Sequence, residues 1–571
     1  MNTYIRSIIK DNYNVPCAVL LFISCFLLGS CKDSFLDELP LDRFSPEVLL
    51  VDSAGFETTQ AALYYAARQE VTLGGVNFDY MNLGTDICDW GRPDSRGFKD
   101  YTLLNSEYDP VNTYWNWGYK DMIRQTNLIL DNLEDPRARL SATAKAAFSG
   151  QAKFFRAYAY NVLVNLYGGV PIVDHQITEP KFDFQRATKV EVLQFIRKDL
   201  EEAGSELPVT ANESNGRIYK AAAYHLLAEV YISLGIETGD ASFYDQAIAA
   251  ASKVINGEVG DYKLMTARFG DLTREGDVFS DLFWTNQQNR SSGNLEVIWA
   301  LQFESFTIGG GTGTGAGSGN ILARLWGMEY DKIKTPNGVS NISSSEMLRG
   351  IGVMIPLNYF KYDIWNLDAN DMRNSKYNIR REFYYDNPAD PEYYGKKILT
   401  GRDAKGKLVV AKADGTLTSQ VLDTTRGYYP WIRKIDGIAF NNDVTLGQTP
   451  NEVIKMRLAE TYLLRAEAYF RKGNPGDAKT DINTVRSRAH ATPITADQVS
   501  IDFILDERAR ELVIEEPRRR TLVRMGVLYD RVRKYNPSSA GTIRPINLLW
   551  PIPQSVINSN TGAVIAQNPG Y

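Results

Sequence analysis

The sequence predicts a mostly α-helical protein, a scaffold of paired helices broken by one loop-rich insertion that contains short strands. Three observations carry this. Apolar residues recur at three-and-four spacing toward both ends of the chain. Glycine, asparagine and proline punctuate those stretches where helices must stop and restart. Between about Lys263 and Ile454 the periodicity fades, and aspartate, asparagine, glycine and tyrosine take over.

Taken in order, the chain opens with Arg6 and Lys10, an apolar run over about Val15 to Leu28, and then Leu28-Gly29-Ser30-Cys31. Cationic, then apolar, then small residues is the pattern of an export leader. The run falls short of the roughly 20 residues that span a bilayer. Residues 1–30 are therefore expected to be a signal peptide. Leu-Gly-Ser-Cys resembles the lipobox of bacterial lipoproteins, which implies a lipid on Cys31. The acidic stretch Lys32-Asp33-Ser34-Phe35-Leu36-Asp37-Glu38 is similar to the signal that takes such lipoproteins to the cell surface.

Residues 31–571 are expected to form one unit. A helical scaffold covers about 45–262 and 452–535, a variable ligand-binding insertion about 263–451, and an extended C-terminal segment 536–571. Helices are expected over Pro46–Tyr65, Val111–Leu133 and Ser141–Tyr167. In the last, Ala152, Phe155, Ala159, Val162 and Leu166 make one stripe, and Gly168-Gly169 ends it. Met456, Ala459, Leu463, Ala466 and Phe470 form another stripe; Gly473 stops that helix. Asn474 caps a partner carrying Ala478, Ile482, Val485 and Ala489, with Pro475 in its first turn. A second pair uses Ala228, Tyr231, Gly235 and Ala247. Such hairpins resemble tetratricopeptide repeats, which stack to bury a shared core. Within the insertion, Glu296–Phe303 reads as a strand, and the glycines from 309 to 319 as a flexible loop. That loop lacks the Gly-Lys-Ser/Thr ending of a phosphate-binding loop.

Composition excludes several functions. The chain has 571 residues and a formal net charge of −6, and losing Arg6, Lys10 and Asp11 leaves it one unit more acidic. That is no footprint for nucleic acid. Of Cys17, Cys25, Cys31 and Cys88, two leave with the leader and one takes lipid, so Cys88 has no disulfide partner. His175, His225 and His490 are scattered, which supports neither a metal site nor a Ser-His-Asp triad. No cofactor is expected.

Several blocks carry a family resemblance. Arg156-Ala157-Tyr158-Ala159-Tyr160 with Leu166-Tyr167-Gly168-Gly169-Val170-Pro171 is similar to the early signature of SusD/RagB outer-membrane lipoproteins. Arg457-Leu458-Ala459-Glu460-Thr461-Tyr462-Leu463 with Ala466-Glu467-Ala468 resembles the second, and Glu507-Arg508-Ala509-Arg510-Glu511-Leu512 with Glu515 and Arg518 the third. Trp550-Pro551-Ile552-Pro553-Gln554 and Gln567-Asn568-Pro569-Gly570-Tyr571 resemble the C-terminus. One block departs from the family. Arg518-Arg519-Arg520-Thr521-Leu522 and Arg524-Met525-Gly526 stand where Arg-Trp-x-Asp-Leu and Arg-Trp-Gly are usual, so this helix must pack and pair differently. The resemblance implies a SusD-like fold and a non-catalytic surface protein of the outer membrane. It would bind an oligosaccharide and work with a SusC-like TonB-dependent transporter. Peptide cargo, as in the RagB branch, is the alternative; a surface glycoside hydrolase or a purely structural scaffold stands further off.

Glu507, Glu511 and Glu515 are spaced by four and would share one helix face, whereas glycoside hydrolysis needs two opposed acids. Ion pairs with the nearby arginines account for them better, and Asp371 with Arg373 reads as a polar lock. For a sugar, flat aromatic rings can stack on C–H faces while polar side chains take the hydroxyls. Trp90, Trp284, Trp326, Tyr330, Tyr359 and Trp365 are the stacking candidates, with Asp86, Asp89 and Arg92 as polar ones. Trp115, Trp117, Trp299 and Trp550 are expected in the core.

Overall fold

A computed structural model describes residues 49–72, 81–94, 96–209, 216–306, 319–422 and 426–571. The expected leader, Cys31 and nearly all of the glycine-rich loop lie outside the described residues. The elements below all belong to the compact unit Leu50–Tyr571.

Helix α1 (Ser53–Thr72) begins where the Asp52 carboxylate accepts the Gly55 N–H at 3.0 Å, and it runs past the expected end at Tyr65. The stretch expected as one helix over Val111–Leu133 is α2 (Asp109–Asn116), a π-helical segment (Trp117–Ile123) and α3 (Arg124–Leu133). Gly118 lies in the widened segment, where a Cβ would come within 2.8 Å of Leu163. Helix α4 (Ala142–Tyr167) is capped by Ser141, which accepts the Ala144 N–H, and stops at Gly168 with φ +73°. Phe154, Phe155 and Tyr158 of α4 meet Trp299 edge-on, with ring centroids 5.4 to 6.0 Å apart.

Next come α5 (Lys189–Glu206), α6 (Lys220–Thr238) and α7 (Ser242–Ile255). A Cβ on Gly235 would strike the Tyr244 ring at 2.5 Å, so glycine lets α6 and α7 pack closely. The later hairpin is α11 (Leu458–Arg471) and α12 (Pro475–Arg488), capped by Asn474. Helices α4, α5, α6, α7, α11 and α12 pack successively, each on the next.

The segment between α7 and α11 holds short helices α8 (Val278–Asp281), α9 (Leu322–Trp326) and α10 (Asn358–Lys361). Its strands stitch distant parts of the chain together. Strand β1 (Cys88–Trp90) pairs antiparallel with β3 (Met354–Pro356), Trp90 opposite Met354. Strand β2 (Val297–Leu301), read from the sequence as a strand, pairs with β9 (Val453–Arg457). Met456, expected on a helix stripe, thus lies in a strand that runs straight into α11. The remaining strands are β4 (Ile379–Arg380) with β8 (Trp431–Ile432), and a meander of β5 (Leu399–Arg402), β6 (Leu408–Ala411) and β7 (Leu417–Val421).

Helices α13 (Ile501–Leu512), α14 (Arg518–Arg524), α15 (Leu528–Tyr535) and α16 (Gln554–Ser559) follow. Arginines tie α13 to everything around it. Arg373 bonds Asp371 at 2.7 Å, Glu507 at 2.8 Å and Glu511 at 2.9 Å, all fully buried. Arg457 joins Glu511 to Glu296, and Arg488 bonds the same two carboxylates. Glu515 pairs with Arg457 and Lys434. These acids serve the scaffold, as their spacing suggested.

The unusual α14 is explained in the same way. Arg519 lies over the Phe98 ring at 4.3 Å, Arg520 over Tyr158 at 5.6 Å, and Arg524 pairs with Glu467 at 2.7 Å. Arg519 stands at the first tryptophan position of that pattern and the buried Met525 at the second. Cys88 is buried, and so are Trp115, Trp117, Trp299 and Trp550.

Candidate functional site

Five of the six expected stacking rings lie in the interior. Trp90 is 1 % exposed, at the end of β1 opposite Met354 of β3. Trp326 is buried on α9, and the buried Tyr330 hydroxyl bonds the Tyr384 carbonyl. Tyr359 stacks on Tyr535 at 3.7 Å and bonds Asp506 and Arg531 through its hydroxyl. The Trp365 indole N–H donates to the Phe360 carbonyl at 2.7 Å. None of these five turns an open face outward. Trp284 is half-buried, and the Arg274 guanidinium sits 3.7 Å over its ring. The polar turn residues around these rings hid their burial from a sequence reading: these five pack inward, where burial favours them, whereas Tyr362, Tyr384 and Tyr394 of the insertion stay exposed.

The polar candidates divide. Asp86 is fully buried and bridges Arg518 at 2.7 Å and Arg531 at 2.8 Å. Burial opposes its ionisation, but the two guanidiniums outweigh that and bring it down to about 2. It is a structural carboxylate. Asp89 is also buried, and burial raises its carboxyl above the ordinary range. Arg92 is different: half-buried, just past β1, it stands at the edge of a junction that the sequence did not reveal.

At that junction four chain segments meet. Gly91 N–H donates to the Val353 carbonyl at 2.8 Å, Gly352 N–H to that of Gly327 at 2.8 Å, Ile351 N–H to that of Arg324 at 2.8 Å, and Glu329 N–H to that of Arg426 at 3.0 Å. The backbones are so close that a Cβ on Gly91 would lie 2.1 Å from the Gly352 carbonyl oxygen. Gly352 itself has φ +54°, and a Cβ there would meet the Arg426 side chain at 2.7 Å. Glycine is required at both positions.

This crossing brings together Arg92, Arg324, Arg349 and Arg426, each half-buried. Arg324 donates to the Leu446 carbonyl at 3.0 Å, and Arg426 pairs with Glu329 at 3.4 Å. Burial, then the charges of Arg349 and Arg92, pull the Arg324 guanidinium below its usual value. The buried Nε–H groups of Arg92 and Arg324 find no partner among the described residues. Beneath them lies Trp90, with the Arg96 guanidinium 4.9 Å and that of Arg92 5.8 Å from its ring centroid. The indole supports cations, and its own N–H bonds Asp94. The glycines at 91, 327, 350, 352 and 447 were the only sequence signal for the junction, and glycines alone do not say which side chains they let together.

Two of the concavities among the described residues lie elsewhere. A groove of about 560 Å³ is lined by Trp115, Tyr119, Phe182, Phe184, Asn127 and Lys120, among others. A cleft of about 590 Å³ beside α1 and β2 is lined by Gln60, Tyr65, Arg68, Arg217 and Gln302, among others. Among the described residues no helix is long and apolar enough to cross a membrane.

Comparison with known proteins gives a consistent result. Residues 92–232 match a family model described as starch-binding, associating with outer membrane, and residues 360–571 match the model of the SusD family. The starch-binding protein SusD of Bacteroides thetaiotaomicron is 27% identical over 524 residues, covering 86% of this chain and 85% of that protein. SusD-like protein P25 of Formosa agariphila is 25% identical, covering 98% and 99%. A solved SusD homologue from Bacteroides thetaiotaomicron shares the fold with a TM-score of 0.70 at 20% identity, over 93% of this chain and 99% of that one. The helix-pair frame, the motif blocks along it and these matches together place the chain in the SusD family.

Proposed function

We propose that this chain is a cell-surface lipoprotein that captures oligosaccharides and passes them, uncleaved, to a SusC-like TonB-dependent transporter. The observation that carries the reading is the arginine junction. It presents four half-buried guanidinium groups on backbone fixed by four crossing hydrogen bonds. Guanidinium groups present rigid forks of donors suited to hydroxyl and ring oxygens. Little ordering is left to be done on binding, which favours affinity. The similarity to a protein named for starch binding supports a glycan as cargo.

Binding without cleavage fits the same place. Hydrolysis of a glycosidic bond takes two carboxyl groups about 5 to 9 Å apart across the sugar. Among the described residues, Glu329 is the one carboxylate ion-paired with any of the four arginines, and that pairing occupies it. The expected lipid on Cys31 and the family model's association with the outer membrane support the location.

Isothermal titration of the purified protein with a panel of neutral and charged oligosaccharides, alongside mixed peptides, tests the reading. Oligosaccharide binding that weakens at least tenfold in Arg324→Ala is expected. Binding of peptides alone would replace glycan by peptide cargo, and reducing ends accumulating during incubation would replace binding by hydrolysis.

A further inference from the structure

Resting on that reading, we infer that the arginine junction selects an anionic oligosaccharide, one whose sugars carry carboxylate or sulfate groups. Charge balance points there. The whole chain is acidic, with a formal net charge of −6, so a positive patch is not the by-product of a basic protein. Yet Arg92, Arg324, Arg349 and Arg426 come from four separate segments to one crossing, with Glu329 as their ion-paired carboxylate. Like charges held half-buried repel one another, and Arg324 registers the charges of both Arg349 and Arg92. Two buried arginine clusters show the opposite balance: Arg373 has Asp371, Glu507 and Glu511, and Arg531 has Asp86, Asp502 and Asp506. The junction is left short of countercharge.

A neutral sugar cannot supply that countercharge. A carboxylate or sulfate can, and a guanidinium meets either one through two parallel N–H···O bonds. The buried aromatics point the same way. With Trp90 and Trp326 enclosed, the junction has no open indole face among its described residues, so recognition rests on charge and hydrogen bonds in place of stacking. Trp90 is a positioning residue, its ring covered by Arg96 and Arg92.

The test is titration of the full mature protein with three oligosaccharides of equal length: an oligogalacturonide, a sulfated oligosaccharide and a neutral glucan. An acidic peptide serves as a fourth arm, and all are measured at 50 mM and 300 mM NaCl. At low salt, one anionic oligosaccharide is expected to bind at least tenfold tighter than the glucan. The gap should narrow at high salt, and Arg324→Gln with Arg349→Gln should close it. Whichever anion binds tells uronate from sulfate. If the double variant does not fold, Arg349→Gln alone should lower anionic binding severalfold with the melting temperature unchanged. Equal or tighter binding of the neutral glucan overturns the inference and leaves glycan capture standing. Anionic binding indifferent to salt and to both variants also overturns it. Binding of the acidic peptide with no oligosaccharide bound overturns both the inference and the glycan reading beneath it.

Discussion

The guanidinium of Arg96 lies 4.9 Å from the centroid of the Trp90 ring, so the indole faces a cation where a sugar was expected. Such a contact contributes roughly 0.5–2 kcal/mol, according to how far it is desolvated. As a buried residue of the core, Trp90 also fills volume there. Trp90→Ala is expected to cost about 3–5 kcal/mol, typical of truncating a buried large aromatic. Urea denaturation should show the midpoint falling with an unchanged slope, and glycan titration should weaken because Arg92 loses its support.

Glu511 accepts from Arg373, Arg457 and Arg488 in the interior. Removing one member of a buried ionic group strands the others, at a cost of about 3–5 kcal/mol. Glu511→Ala should therefore lower the melting temperature sharply. Lys397→Ala, which breaks an exposed pair with Glu382, should leave it unchanged within error.

Two opposite pH trends are expected. Asp86, Glu467 and Glu507 are buried, which alone would raise them, but neighbouring arginines outweigh this and hold each at about 2. Folded values below unfolded ones mean stability that is present above about pH 4 and is lost as pH falls toward 2. Glu452 goes the other way: burial raises it to about 7. Its contribution is complete below its unfolded value and is lost as pH rises through 7. Melting temperatures from pH 3 to 8 should fall steeply at the acid end, and Glu452→Gln should flatten the slope between about pH 5 and 7 without touching the acid limb.

The expected lipid on Cys31 has a direct test. Cys31→Ser should move the protein from the membrane fraction to the soluble one and abolish incorporation of labelled palmitate. A single acyl chain anchors only marginally, so retention of the native protein in high-salt washes should report more than one chain or a bound partner.

The helical frame was legible because its signals are local. Ser141 before α4, Gly168 after it, and Asn474-Pro475 opening α12 each act within a turn of the backbone they govern. Strand β9 was not legible: Met456 completes an apolar helix stripe, and only its pairing with β2, some 150 residues away, makes it a strand. The π-helical segment escaped for a related reason, since one extra residue in a turn barely disturbs a three-and-four pattern. In the candidate site the error had a direction. Tryptophans in polar turns read as open stacking rings, and Arg324, Arg349 and Arg426 gave no local signal, while the fold buried the first and gathered the second around close-packed glycines.

The ionic lattice around α13 has a consequence for folding. Glu511 and Arg457 come from the late helical part, Glu296 and Arg373 from the interval between α7 and β9. Each set is paired partly within itself, through Arg457–Glu511, Arg488–Glu511 and Arg373–Asp371, and Glu296 and Arg373 join the two. Excising residues 263–451 would leave Arg457 and Arg488 without Glu296, and Glu511 without Arg373. The two stretches must therefore gain their stability in a single cooperative transition, and one unfolding event, with no separately melting fragment, is what calorimetry should record.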